Sequence, residues 1–146
     1  MFADERRRWF FSGQARSGLA AQMAAMRFMH IGRIVHVVSE ATAPSIRRPD
    51  GLVLVSGSGE TAVSVHFARI AKAEGAQVIL VTRESKSTLA GLADAVMLAP
   101  IETTQQFGGS LFEQTSLVLL DSIVLKLASR LPDAHKQMLQ QHTNLQ

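Results

Sequence analysis

Short apolar runs alternate along this chain with longer segments in which apolar residues recur every three or four positions. The short runs are typical of strands, and the longer segments are typical of amphipathic helices. Glycine or proline ends several of the predicted elements, as at Gly32, Gly75 and Pro132. Strands are predicted at 9–11, 34–38, 52–55, 77–82 and 95–98, and helices at 17–31, 61–74, 87–93 and 111–131.

The order of these elements predicts the fold class. Strands and helices alternate through most of the chain, which indicates an α/β protein with a mainly parallel sheet covered by helices on both faces. The segment 111–131 is apolar over much of its circumference, so we expect it to contact a partner subunit as well as the sheet. One domain is expected over 1–146, with its core over 9–131 and a polar tail over 132–146.

The composition fits one globular domain and argues against several classes of protein. The chain has 146 residues, 47% of them apolar, but no apolar run approaches the roughly 20 residues that cross a bilayer. No signal peptide is evident, so a cytoplasmic location without membrane contact is expected. Cysteine is absent, which removes disulfide bonds and thiolate catalysis. The net charge is only +3 and the basic residues are scattered, so no nucleic-acid partner is expected.

The residues SGSGET, at 56–61, form the most informative segment. They lie between a predicted buried strand and a predicted helix. Gly57 and Gly59 allow the backbone to adopt positive φ and to approach a ligand closely. The start of the following helix presents free N–H groups, which makes it a site for anions such as phosphate. The hydroxyl groups of Ser56, Ser58 and Thr61 would add hydrogen bonds.

Two other interpretations of this turn stay open. Ser58 precedes Thr61 by three residues, which is ordinary capping chemistry for a helix. The residues from Gly57 to Ala62 also match the G-x-G-x-x-A pattern of dinucleotide-binding proteins, and Glu84 lies near the end of the next strand. That pattern normally follows the first strand of its unit, whereas here it follows the third.

A second turn, over 13–18, follows the first predicted strand. Ser17 is placed to donate a hydrogen bond to an anion, and Arg16 to add a positive charge. Alone, these residues fit a serine N-cap and a solvent-exposed arginine better than they fit an anion site. Because both turns lie at the carboxyl ends of strands, they are expected to meet at one crevice of a parallel sheet.

His30 and Glu113 are the candidate proton-transfer groups. His30 lies three helical turns after Leu19 on the same face, so it is either a core or interface residue or a proton shuttle. Glu113 begins the last long helix, where a carboxylate either stabilises the helix dipole or acts as a general base. The other histidines show no metal-ligand spacing, so no metal site is expected.

Taken together, these motifs resemble the sugar isomerase (SIS) domain superfamily, and within it the 6-phospho-3-hexuloisomerase family. The SGSGET turn looks like the phosphosugar loop of the superfamily. The narrower resemblance rests on further segments, namely RSG at 16–18, AMRFMHIG at 25–32, STLA at 87–90 and GSLFEQ at 109–114.

The resemblance implies a three-layer α/β/α sandwich around a five-stranded parallel sheet, similar to flavodoxin, and assembly as a homodimer or homotetramer. It implies no cofactor. The substrate would be a sugar phosphate, with 3-hexulose 6-phosphate and fructose 6-phosphate interconverted through a cis-enediol. Glu113 would be the base, and His30, from the same or a neighbouring subunit, would assist proton transfer. The implied phosphosugar-binding residues are Arg16, Ser17, Ser56, Gly57, Ser58, Gly59, Thr61 and Ser87.

The chain departs from this family at two points. The family has a helical region before its first strand, whereas the first strand is expected here from about Arg8. Ala15 stands where the family tends to have glycine, and alanine at positive φ is unfavourable by about 1 kcal/mol. Two alternatives to the hexuloisomerase stay open, namely a non-catalytic phosphosugar sensor and a related isomerase such as arabinose 5-phosphate isomerase.

Overall fold

The computed structural model describes residues 2–101 and 103–145. Its strands and helices follow the predicted order, with one additional helix at the end of the chain. The elements are β1 (Arg8–Gly13), α1 (Arg16–His30), β2 (Ile34–Val37), β3 (Gly51–Val55), α2 (Ala62–Ala73), β4 (Gln77–Thr82), α3 (Thr88–Leu92), β5 (Ala95–Leu98), α4 (Ser110–Ala128) and α5 (Ala134–Gln141).

The five strands form one parallel sheet in the order β2-β1-β3-β4-β5. Neighbouring side chains along a strand point to opposite faces, and both faces are covered. Phe11, Val53 and Val55 pack on the side of α1 and α4. Leu52 and Leu54 pack on the side of α2 and α3. The predicted three-layer α/β/α architecture is therefore confirmed.

The chain order creates a crevice at the carboxyl edge of the sheet. β1 and β3 are neighbours, but β1 leads through α1 to β2 on one side, and β3 leads through α2 to β4 on the other. The turns that follow β1 and β3 therefore diverge to opposite faces and leave an opening between them. Ligands of parallel α/β sheets bind at such switch points.

The C-terminal segment differs from the sequence-based expectation. The polar tail predicted over 132–146 contains α5, and α4 ends at Ala128 rather than at 131. Ala134 and Met138 of α5 pack against the core on the α1 and α4 side. These two apolar residues in a polar segment are too weak a periodic signal to predict a helix. Among the described residues, no helix is long and apolar enough to span a membrane.

Candidate functional site

A cleft of about 190 Å³ opens at the switch point between β1 and β3. Four predicted site residues meet there, which are Arg16, Ser17, Gly57 and Glu113. They come from the starts of α1 and α4 and from the turn after β3, so the two predicted turns do share one crevice. The remaining lining residues are Gln14, Ala15, Arg83, Gly109 and Phe112.

Arg16 and Glu113 form an ion pair across this cleft. Arg16 Nε lies 3.1 Å from Glu113 Oε2, and the side chains are 45% and 24% exposed. The Arg16 guanidinium also lies 6.0 Å from the centre of the Phe107 ring and packs against Gly108, which has φ +58°. The candidate base is therefore held beside a cation that links α1 to the loop before α4.

Ala15 has an unusual backbone conformation at the start of α1. Its φ of 49° and ψ of −126° lie in a region that glycine enters readily and other residues avoid. Ala15 is the N-cap residue and supplies no side-chain cap, while Ser17 lies inside the first helical turn rather than at the N-cap. The turn after β1 therefore needs the conformation that glycine would adopt without strain.

Two polar contacts lie within the 56–61 turn, and other hydrogen bonds join it to β4 and α3. Ser56 is only 3% exposed, and its Oγ lies 3.4 Å from Thr61 Oγ1. Ser58 Oγ accepts a hydrogen bond from the N–H of Glu60 at 3.2 Å. Thr61 is the N-cap residue of α2 but makes no side-chain cap hydrogen bond. The capping interpretation therefore does not account for the Thr61 hydroxyl, which stays beside Ser56.

The start of α3 packs directly onto this turn. Ser87 Oγ accepts a hydrogen bond from Ala90 N–H at 3.2 Å as the N-cap of α3. Leu89 N–H donates to Gly59 O at 3.1 Å. Glu60 Oε1 accepts from Thr88 N–H at 2.7 Å, and this hydrogen bond lowers the pKa of the Glu60 carboxyl group. Ser87 is thereby placed next to the 56–61 turn.

His30 lies away from the cleft within one protomer. It ends α1, whereas Arg16 begins it, so about 21 Å of helix separates the two residues. His30 is buried and stacks on His142, with 5.5 Å between ring centres. Burial, followed by the charges of His142 and Arg27, lowers its pKa. One copy of the chain therefore does not bring His30 and Glu113 together.

Arg83 belongs to the cleft, although no sequence motif pointed to it. It follows β4, and its N–H donates to Gly57 O at 3.3 Å. A lone arginine in a predicted loop carries no signal, so its place became evident only from the fold.

In the described part of the chain, no cluster of three or more histidine, aspartate or glutamate side chains is arranged to hold a metal ion.

The chemistry of the cleft combines three functions. Glycine backbone and hydroxyl groups suit a phosphate group, a carboxylate suits proton abstraction, and guanidinium groups suit an anionic intermediate. Gly57 of the 56–61 turn and the hydroxyl group of Ser17 supply the first, Glu113 the second and Arg16 the third. The other predicted binding residues, Ser56, Ser58, Gly59, Thr61 and Ser87, are not among the residues that line the cleft. An aldose–ketose or ketose–ketose isomerisation of a sugar phosphate requires these three kinds of group.

Comparison with known proteins agrees with this chemistry. The chain is 39% identical over 147 residues to a 3-hexulose-6-phosphate isomerase of Mycobacterium gastri, covering 95% of this chain and 74% of that enzyme. It is 35% identical over 146 residues to the 3-hexulose-6-phosphate isomerase of Bacillus subtilis, covering 94% of this chain and 79% of that enzyme.

Solved structures and family models give the same result. The fold matches a hypothetical protein of Methanococcus jannaschii, whose crystal structure inferred a molecular function of 3-hexulose-6-phosphate isomerase. That match has a TM-score of 0.90 and 29% identity, and it covers 99% of this chain and 82% of the other. The SIS domain model matches residues 1–129. The predicted resemblance is thus confirmed, and the chain belongs to the SIS domain family.

Proposed function

We propose that this protein is a phosphosugar isomerase that interconverts 3-hexulose 6-phosphate and fructose 6-phosphate through a cis-enediol. The ion pair of Arg16 with Glu113, in a cleft that also exposes Gly57, is the observation that carries the proposal. It supplies a carboxylate base and a cation within reach of one small ligand. The 3-hexulose-6-phosphate isomerases at 35% and 39% identity support the choice of sugar.

The phosphate group binds in this proposal at the 56–61 turn. Gly57 is partly exposed and presents backbone, whereas Gly59 is buried against Ser87 and shapes the turn. Ser56, Ser58 and Thr61 provide hydroxyl groups that donate to phosphate oxygens in this proposal. In this proposal, the hydroxyl groups of Ser17 and Ser87 also donate hydrogen bonds to the phosphate group. The Ser87 hydroxyl accepts from Ala90 N–H and retains its own proton for the ligand.

Glu113 is the base that moves the proton between carbons. It removes the proton from carbon 2 of 3-hexulose 6-phosphate, and the electron pair of that C–H bond forms the double bond of a cis-enediolate. The carbon 3 carbonyl oxygen takes the negative charge, which Arg16 stabilises. A proton then passes from the oxygen on carbon 2 to the oxygen on carbon 3. Reprotonation at carbon 3 by Glu113 leaves the carbonyl at carbon 2, as in fructose 6-phosphate.

A homo-oligomer completes the proposed enzyme. Val118 and Leu125 of α4 are 69% and 72% exposed, and Leu19 and Met23 are exposed on α1. Neighbouring exposed apolar residues mark protein contacts, so we assign these faces to pairing between copies as a homodimer or homotetramer. Sedimentation velocity tests this assignment, and Leu125→Glu is expected to shift the protein towards monomers.

Pairing of two copies would also bring His30 of one copy close to the cleft of the other. A two-fold axis that crosses α1 makes the two copies of this helix antiparallel, and so brings the partner's His30 towards Arg16 and Glu113. There the imidazole would transfer the proton between the substrate oxygens. Since His30 is stacked on His142 in the single copy, the end of the chain must rearrange or join the same interface.

The reaction itself is the direct test. The purified protein is incubated with 3-hexulose 6-phosphate, and fructose 6-phosphate is followed by a coupled assay. Turnover would establish the reaction. Binding of sugar phosphates without turnover would favour a non-catalytic sensor, and turnover of arabinose 5-phosphate alone would favour the related isomerase. A cytoplasmic location is part of the proposal, because phosphorylated sugars are charged and do not diffuse across membranes.

A further inference from the structure

Arg83 is positioned against the turn that is proposed to bind phosphate. Its backbone N–H donates to Gly57 O at 3.3 Å. Its Nε lies 3.5 Å from the point that a β-carbon on Gly57 would occupy, so the guanidinium group passes over the face of this glycine. A larger residue at 57 would crowd Arg83 on one side and Phe112, at 3.3 Å, on the other. The side chain and the turn thus form one wall of the cleft.

The Arg83 guanidinium group has no polar partner among the described residues. Over 2–101 and 103–145 it makes neither an ion pair nor a side-chain hydrogen bond, and the residue is exposed. Arg16, the other arginine of the cleft, is already paired with Glu113 at 3.1 Å. A guanidinium group presents a planar fork of donors that matches two phosphate oxygens. Arg83 therefore has both the free donors and the place to meet a phosphate group.

We propose that the two arginines divide the substrate between them, with Arg83 binding the phosphate group and Arg16 serving the reacting carbons. The inference rests on the proposed isomerase function. Arg16 contacts the candidate base and so lies at the carbonyl end of the ligand, whereas Arg83 contacts the phosphate turn. Arg83 thereby makes the site selective for phosphorylated over neutral sugars.

Substitution at Arg83 tests this division by separating binding from turnover. Arg83→Gln should weaken binding of fructose 6-phosphate by about tenfold or more, because a charge-assisted bidentate contact is lost. KM should rise while kcat changes little, since the contact is made equally in the ground and transition states. Arg83→Lys should restore part of the affinity, because it keeps the charge but not the fork. Binding is measured by titration calorimetry.

Arg69→Gln is the matched control, since Arg69 is an exposed arginine of α2 outside the cleft. It removes the same charge and should leave binding within about twofold of the unmodified protein. Equal melting temperatures without ligand would show that both variants are folded.

The outcomes separate this inference from the proposed function. If the unmodified protein binds fructose 6-phosphate and Arg83→Gln binds it as tightly as Arg69→Gln does, the role of Arg83 is wrong and the isomerase proposal stands. A fall in kcat without a change in KM would also overturn it, because Arg83 would then act on the reacting carbons. If the unmodified protein binds no sugar phosphate, both proposals fall together.

Discussion

Gly59 and Ser87 are packed so closely that a β-carbon on Gly59 would lie 2.1 Å from Ser87 Oγ. Gly59 also has φ +67°, which side-chain-bearing residues rarely adopt. The glycine therefore allows α3 to pack on the 56–61 turn, with Ser87 as the helix N-cap and Leu89 N–H donating to Gly59 O. The proposed phosphate grip and the start of α3 form one unit.

Gly59→Ala is accordingly expected to damage both stability and binding. The strained φ and the displaced N-cap together should lower the free energy of unfolding by about 2 kcal/mol. Urea unfolding measures the loss, and calorimetry should show weaker sugar phosphate binding. Gly91→Ala is the control, because a β-carbon at Gly91 meets no atom within 4 Å. If Gly59→Ala were as stable as Gly91→Ala, the close packing would be contradicted.

Ala15→Gly is expected to stabilise the protein. Relief of the positive φ at Ala15 outweighs the greater freedom that glycine has in the unfolded chain, for a net gain of about 1 kcal/mol. The urea midpoint should rise at an unchanged slope. The same change at Ala20, inside α1, should instead destabilise by about 1 kcal/mol or more. A lower midpoint for Ala15→Gly would show that the turn carries no strain at Ala15.

Glu113→Gln tests the proposed base. The amide keeps the shape of the side chain but cannot accept a proton, so kcat should fall by about 10²–10⁴-fold. Sugar phosphate binding should persist, since the phosphate contacts remain. Asp121→Asn removes a carboxylate from the same helix outside the cleft and should keep full turnover. Unchanged kcat in Glu113→Gln would assign the base to another residue.

The lowered pKa of His30 predicts that the folded protein loses stability in mild acid. Burial is the main cause of its lowered pKa, so the unfolded chain takes up the proton at a higher pH than the folded one. The contribution of neutral His30 is therefore present above its unfolded pKa of about 6.5 and is lost as the pH falls below it. Unfolding by urea across this range should show a decline that His30→Gln makes shallower. An identical decline in both proteins would contradict the effect of burial.

Most of the sheet was predictable from the sequence alone. The strand predicted at 77–82 is Gln77–Thr82, and the one predicted at 95–98 is Ala95–Leu98. Both strands are short apolar runs, and their side chains pack on one or both faces of the sheet. The apolar pattern in the sequence therefore coincides with the segments that the fold packs into the sheet. α5 was missed, because it packs by only a few apolar side chains.

The candidate site was predictable only in part. The SGSGET turn was singled out from the sequence because glycines and hydroxyl groups between a strand and a helix suit an anion, and its binding of phosphate stays a prediction. Arg83 did not, because an arginine in a loop has no pattern of its own. His30 was correctly located on α1. Its separation from Glu113, which lies on α4, depends on how the two helices pack against each other.

The sequence by itself thus determined the order of the elements from β1 to α4 and the family, because these depend on residues that are adjacent in the chain. Tertiary structure alone decided that Arg16 pairs with Glu113, that Arg83 passes over Gly57 and that His30 stacks on His142. Such contacts join distant segments, and they follow from the strand order and the packing of helices on the sheet, which local residue patterns do not encode.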